Sequence, residues 1–186
     1  MQESDNVLRI LKETKVALEK NDSFTIRSLS NQTINTASLA QDPDNIAVAV
    51  IVYSMSKIVE RLDYRQLPGW KSFYKNVLLY LDKSIKDIEN KDFGKFREDF
   101  KKIRGSIENL SGKLKKYIKE VIRNAEINKA SRIYAHGISM EQTANLLGVS
   151  LYELADYAGK TGIADVPENM TRNTKDRIKL AMEMFE

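Results

Sequence analysis

The chain has no cysteine and a single histidine, His136, in 186 residues. Disulfides, zinc ribbons, iron–sulfur clusters and thiol nucleophiles are therefore excluded. A multi-histidine metal site is excluded with them. Three prolines and eight glycines are too few for a Pro/Gly-rich fibre. The longest apolar run, Ile46 to Tyr53, is eight residues, against roughly 20 needed to span a bilayer. Met1 to Asn6 is polar and lacks the positive-then-apolar order of a signal peptide, so a cytoplasmic, membrane-free protein is expected. No glycine-rich phosphate loop, serine nucleophile motif or metal-ligand spacing appears. Asp42 with Asp44, and Glu98 with Asp99, fall in capping or solvent-facing patterns. No cofactor, metal or small-molecule substrate is expected.

Apolar residues make up 42% and charged residues 30%, a globular composition. The length suits one domain or a domain plus a small module. The net charge of +4 is unevenly placed. Residues 1–90 are balanced, with 12 basic and 12 acidic side chains. Residues 91–128 carry 11 basic against 6 acidic, and residues 129–165 carry 3 against 4. A local basic excess suits nucleic acid or acidic partners, or simply a solvated lysine-rich helix face.

The hydrophobic period is helical nearly throughout, and the expected fold is all-α. Val7, Leu11 and Leu18 predict a helix over about 4–20. Asn21-Asp22-Ser23 is a turn and cap, and Ile26, Leu29, Thr33, Ile34 and Ala37 predict a second helix to about Ala40. The β-branched run Ile46–Val52 resembles a buried strand. However, Asp42-Pro43 is a helix start, and Ile51, Met55, Ile58 and Leu62 follow at helical steps, so one helix is expected from Pro43 to about Tyr64. Trp70, Tyr74, Val77, Leu81, Ile85 and Ile88 predict a helix over about 69–90. Phe93, Phe96, Phe100, Ile103, Ile107, Leu110, Leu114, Tyr117 and Val121 then alternate steps of three and four. The phase persists through Gly105 and Gly112, which argues for one long heptad helix over 92–135. A fresh start capped by Ser111 is the alternative. Such a stripe serves either an intramolecular bundle core or a dimeric coiled coil. The expected domains are a helical bundle over 1–128, a small module over 129–165, and a linker with an amphipathic tail helix over 166–186. In the tail, Ile178, Ala181, Met182 and Phe185 share a face.

The module has the pattern of a helix-turn-helix. Gly137 stops one helix, Ser139 and Gln142 form a capping box, and Gly148 makes the turn. Ser150 and Glu153 form a second capping box, after which Leu151, Leu154 and Ala155 are expected to face the core, with Gly159 and Gly162 as stops. The segment Thr143-Ala-Asn-Leu-Leu-Gly-Val-Ser-Leu-Tyr-Glu-Leu resembles the Ala-x-x-Leu-Gly-[Ile/Val]-Ser turn of prokaryotic helix-turn-helix proteins. Together with Gly159-Lys-Thr-Gly-Ile and the tail from Thr174 to Phe185, it is similar to small antitoxin-like regulators. The resemblance covers about 50 residues.

That resemblance implies duplex-DNA binding and transcription regulation, with the second helix in the major groove. Its candidates are Ser150, Tyr152, Glu153, Asp156, Tyr157 and Lys160. The composition is unusual for base reading, because Lys160 is the one cation and Glu153 and Asp156 would face phosphates. Lys113, Lys115, Lys116, Lys119 and Arg123 lie upstream and could contact the backbone. The expectation is a non-catalytic DNA-binding regulator. The alternative is an adaptor whose bundle and helix-turn-helix bind protein, or a homodimer through the heptad or tail. A third reading is a helical ribonuclease using Arg132 and His136, although the three residues between them depart from the usual four to six.

Overall fold

The computed structural model describes residues 1–40 and 42–162, and their side chains outside 35–40. The expected tail lies outside the described residues. The protein is all-α: α1 (Ser4–Glu19), α2 (Ser23–Ala40), α3 (Pro43–Glu60), a 3₁₀ turn (Leu62–Gln66), α4 (Trp70–Glu89), α5 (Phe93–Gly105), α6 (Gly112–Ala135), α7 (Met140–Leu147) and α8 (Leu151–Thr161). No described helix is long and apolar enough to cross a membrane.

The ambiguous run Ile46–Val52 is helical. Asp42 accepts a hydrogen bond from the Asp44 backbone N–H at 2.9 Å, and Pro43 occupies the first turn. Ile46, Val48, Ala49, Val50, Ile51 and Val52 are all buried, as α3 lies against α1, α2 and α6. Burial on nearly every side lets packing override the strand preference of β-branched residues. The helix ends at Glu60, short of Tyr64, where the chain tightens into the 3₁₀ turn.

The heptad stripe is divided between two helices. α5 stops at Gly105, and four turn residues separated by short backbone bonds follow, including Ile107 N–H to Arg104 O at 3.2 Å and Leu110 N–H to Ile107 O at 3.0 Å. Ser111 is extended, and Gly112 takes a φ of +59°, a conformation that glycine adopts without strain. The chain then reverses, so that Glu108 meets Lys119 at 3.0 Å and Arg104 meets Glu126 farther along α6. The expectation of one helix over 92–135 is thus corrected. The phase survives because Phe96, Phe100, Ile103, Ile107, Leu110, Leu114 and Val121 are all buried in the same core, on both arms and in the turn between them. The stripe is covered by the chain's own helices α3 and α4.

α6 runs unbroken across residue 128, where a domain boundary was expected. Its first half packs on the main core, while Ile133 joins Ile34, Ile46, Ala49 and Ile138 in a second cluster. Ala130 joins Ala144, Val149 and Leu154 in a third. The last turns of α6 are therefore the platform on which α7 and α8 rest.

Candidate interaction surface of α7 and α8

All but one of the local signals expected to start and stop these two helices operate, the exception being Gly159. His136 closes α6, its ring Nδ1 2.7 Å from the Arg132 carbonyl oxygen. Ser139 accepts from the Gln142 N–H at 3.2 Å and starts α7. Gly148 has a φ of +65° and turns the chain. Ser150 accepts from the Glu153 N–H at 3.2 Å, and the Glu153 carboxylate accepts from the Ser150 N–H at 3.0 Å. Gly159 lies inside α8, and the stop falls at Gly162.

No atom lies within 4 Å of a Cβ placed on Gly148. The cost of a side chain there is consequently backbone strain alone. Gly148→Ala is expected to lower stability by about 1 kcal/mol, measured by urea denaturation, with no change in the folded spectrum.

Arg123 of α6 ties α8 to the rest of the molecule. Its guanidinium donates to both Glu153 oxygens, at 2.8 and 2.6 Å, to Glu126 at 3.1 Å, and to the Gly148 carbonyl at 3.1 Å. The Arg123 fork and the Ser150 donors hold the Glu153 carboxyl far below the usual range, at about 2. Glu126 is only 6% exposed and also takes Arg104 of α5. Four charges, Arg104, Glu126, Arg123 and Glu153, thus link α5, α6 and α8. Asn128 donates to the Tyr157 hydroxyl at 2.9 Å and adds a second tie between α6 and α8.

This network changes the expected nucleic-acid surface. Glu153, expected to face phosphates, is partly exposed and is bound by Arg123. Arg123, Ser150 and Tyr157 are engaged in holding α8. Lys115 and Lys119 both reach Glu108, at 3.1 and 3.0 Å, and Lys160 pairs with Asp156 at 2.7 Å. Among the predicted cations, Lys113 and Lys116 are exposed and have no carboxylate within 4 Å among the described residues.

The outward face of α8 also differs from expectation. Leu154 and Ala158 are buried, but Leu151 is 49% exposed, Tyr152 is 80% exposed, and Ala155 is exposed. Leu151 and Ala155 were expected in the core. The inward stripe begins at Leu154, because the first turn is secured by the capping box and Arg123 rather than by apolar burial. The surface left outside is aliphatic and aromatic, with Asp156 and Lys160 offsetting each other.

Arg132 and His136, the ribonuclease pair, sit one turn apart at the end of α6. The Nδ1 of His136 is occupied by the carbonyl of its own helix. No group of three or more His, Asp or Glu side chains able to hold a metal ion occurs among the described residues.

A residue absent from the predicted set stands out on the same helix. Lys129 has no exposed surface. Its Nζ lies 4.3 Å from the centroid of the Tyr53 ring and donates to Asn31 Oδ1 at 3.2 Å. No carboxylate lies within 4 Å of it among the described residues. Burial, and then the charges of Arg132 and Arg27, push its pKa down to about 7. The sequence carried a signal for this. Ile122, Glu126, Lys129 and Ile133 follow helical steps, which places Lys129 on the buried face.

Comparison with family models, curated proteins and solved structures finds no match for this chain.

Proposed function

We propose that α7, the Gly148 turn and α8 form a helix-turn-helix used as a protein-docking surface, and that the chain is a non-catalytic regulatory adaptor. The observation that carries this is the outward face of α8. Leu151 and Tyr152 are adjacent and exposed, while the one cation of that helix is paired with Asp156. Aromatic anchors with little net charge suit a protein interface. Phosphate contact requires free cations, and most of those near α8 are engaged within the chain. The helical region ahead of it, residues 1–128, supplies the rigid base, since Arg123 and Asn128 fix α8 onto α6.

A photo-crosslinking amino acid at position 152 tests the reading in cells that make the protein. A discrete protein adduct is expected at 152 and not at Phe24, which is equally exposed but lies on α2. An adduct absent at 152, or the same at both positions, would count against it.

Duplex DNA is the second reading, favoured by one specific observation: Glu153 is bound by the Arg123 guanidinium, so a charge that would repel phosphates is neutralised. Lys113 and Lys116 would then supply the backbone contacts. In either reading His136 serves as a helix cap, and His136→Ala should leave binding unchanged.

A further inference from the structure

A cleft of about 290 Å³ opens between α3, α5, α6 and α7. Its walls are mainly apolar, formed by Ile46, Val50, Ile51, Phe96, Phe100 and Leu147. Three cations and two carboxylates stand around it: Arg97, Lys101, Arg104, Asp44 and Glu126. The pairings decide what charge is left. Arg97 forks onto Asp44, with Nε and Nη2 donating at 3.0 and 2.9 Å. Arg104 is paired with Glu126. Lys101 is exposed and has no ion pair or hydrogen bond among the described residues. Glu126 is shared with Arg123, which also holds Glu153, so Arg104, Arg123, Glu126 and Glu153 balance, and the cleft combines an apolar wall with one cation, Lys101, that has no carboxylate partner among the described residues.

A small apolar pocket with few polar groups is the usual form of a small-molecule site. The single residual cation specifies a single negative charge on the ligand. We propose that this cleft binds a small monoanionic amphiphile, a carboxylate with an aliphatic body, whose tail lies along α3 and α5 and whose carboxylate meets Lys101. Leu146 and Leu147 of α7 line the cleft but no residue of α8 does, so the proposal does not rest on the exposed Leu151 and Tyr152 that carry the docking reading. It adds a ligand to a chain whose sequence motifs suggest none.

Decanoate, below its micellar concentration, is the probe, with the full-length protein in a calorimetric titration. One-to-one saturable binding is expected. Octanoate should bind several-fold more weakly, since two methylenes fewer are buried. Two variants at exposed positions leave the core intact and are checked by circular dichroism. Ala47→Trp fills the cleft and should abolish binding. Lys101→Glu should weaken it at least tenfold, and uncharged decanol should bind the wild type more weakly than decanoate does. Absence of saturable binding would overturn the proposal. So would binding that survives Ala47→Trp, or that is indifferent to Lys101→Glu and to the loss of the carboxylate. The outcome has no bearing on crosslinking at Tyr152, so the two ideas fail separately.

Discussion

Lys129→Met is expected to make the protein more stable at pH 6, by a few kcal/mol, with the advantage shrinking as the pH rises. In the unfolded chain a lysine holds its proton until about pH 10.4. In the folded chain Lys129 gives it up near 7. Between those values the unfolded state binds more protons, so wild-type stability rises with pH, by about 1.4 kcal/mol per unit for a single group. Below pH 7 both states are protonated and the full cost of the buried ammonium is present. Methionine has a similar shape, no charge, and can fill the space beside Tyr53. The lost cation–π contact and the lost bond to Asn31 offset part of the gain. The measurement is urea denaturation of both proteins at pH 6, 8 and 9.5. Subtracting one profile from the other removes the other titrating groups. A pH-independent difference would show that Lys129 keeps an ordinary pKa in the folded protein.

The second large effect concerns the charges that hold α8. The asymmetry of the network fixes where the cost falls. Glu126 is buried, whereas Arg104 and Arg123 reach solvent. Arg123→Ala alone leaves Glu126 paired with Arg104, and the loss should be modest. Arg104→Ala with Arg123→Ala leaves a buried carboxylate without a cation. That double variant should lose about 3 kcal/mol, more than the sum of the single losses, because an uncompensated buried charge costs more than the pair contributes. Adding Glu126→Gln to the double variant should recover much of the loss. Additive single effects, or no recovery by Gln, would mean that the network does not govern the attachment of α8. Hydrogen exchange at α8 amides should rise with Arg123→Ala even where global stability barely changes, since Glu153 loses its partner.

These expectations rest on features of different visibility in the sequence. Signals that operate over three or four residues were legible. Asp42-Pro43, Ser139 with Gln142, Ser150 with Glu153, and Gly148 each set a boundary where the sequence placed it. The apolar faces of α1 and α4 were legible for the same reason. The division of the heptad stripe was not. A reversal that keeps both arms against one core preserves the 3-4 spacing, and periodicity alone does not distinguish it from a straight helix. The Glu153–Arg123 fork joins residues 30 apart, and nothing local to Glu153 announces it. That long-range contact turned an acid expected to face phosphates into a tie to α6, and Leu151 and Tyr152 are the large apolar side chains that α8 leaves exposed. Lys129 was half legible: its phase marked it as buried, but the ring of Tyr53 and the amide of Asn31 that accommodate it come from α3 and α2.

The central claim is that the surface of α7 and α8 meets protein and that its neighbouring cations are engaged within the chain. Fluorescence anisotropy of a labelled random duplex against the full-length protein, at roughly 50 and 200 mM salt, tests it most directly, because phosphate contacts appear as a steep salt slope. No saturable binding is expected at the lower salt. Tight binding that collapses at the higher salt, and that weakens when Lys113 and Lys116 become alanine, would contradict it and establish the DNA reading.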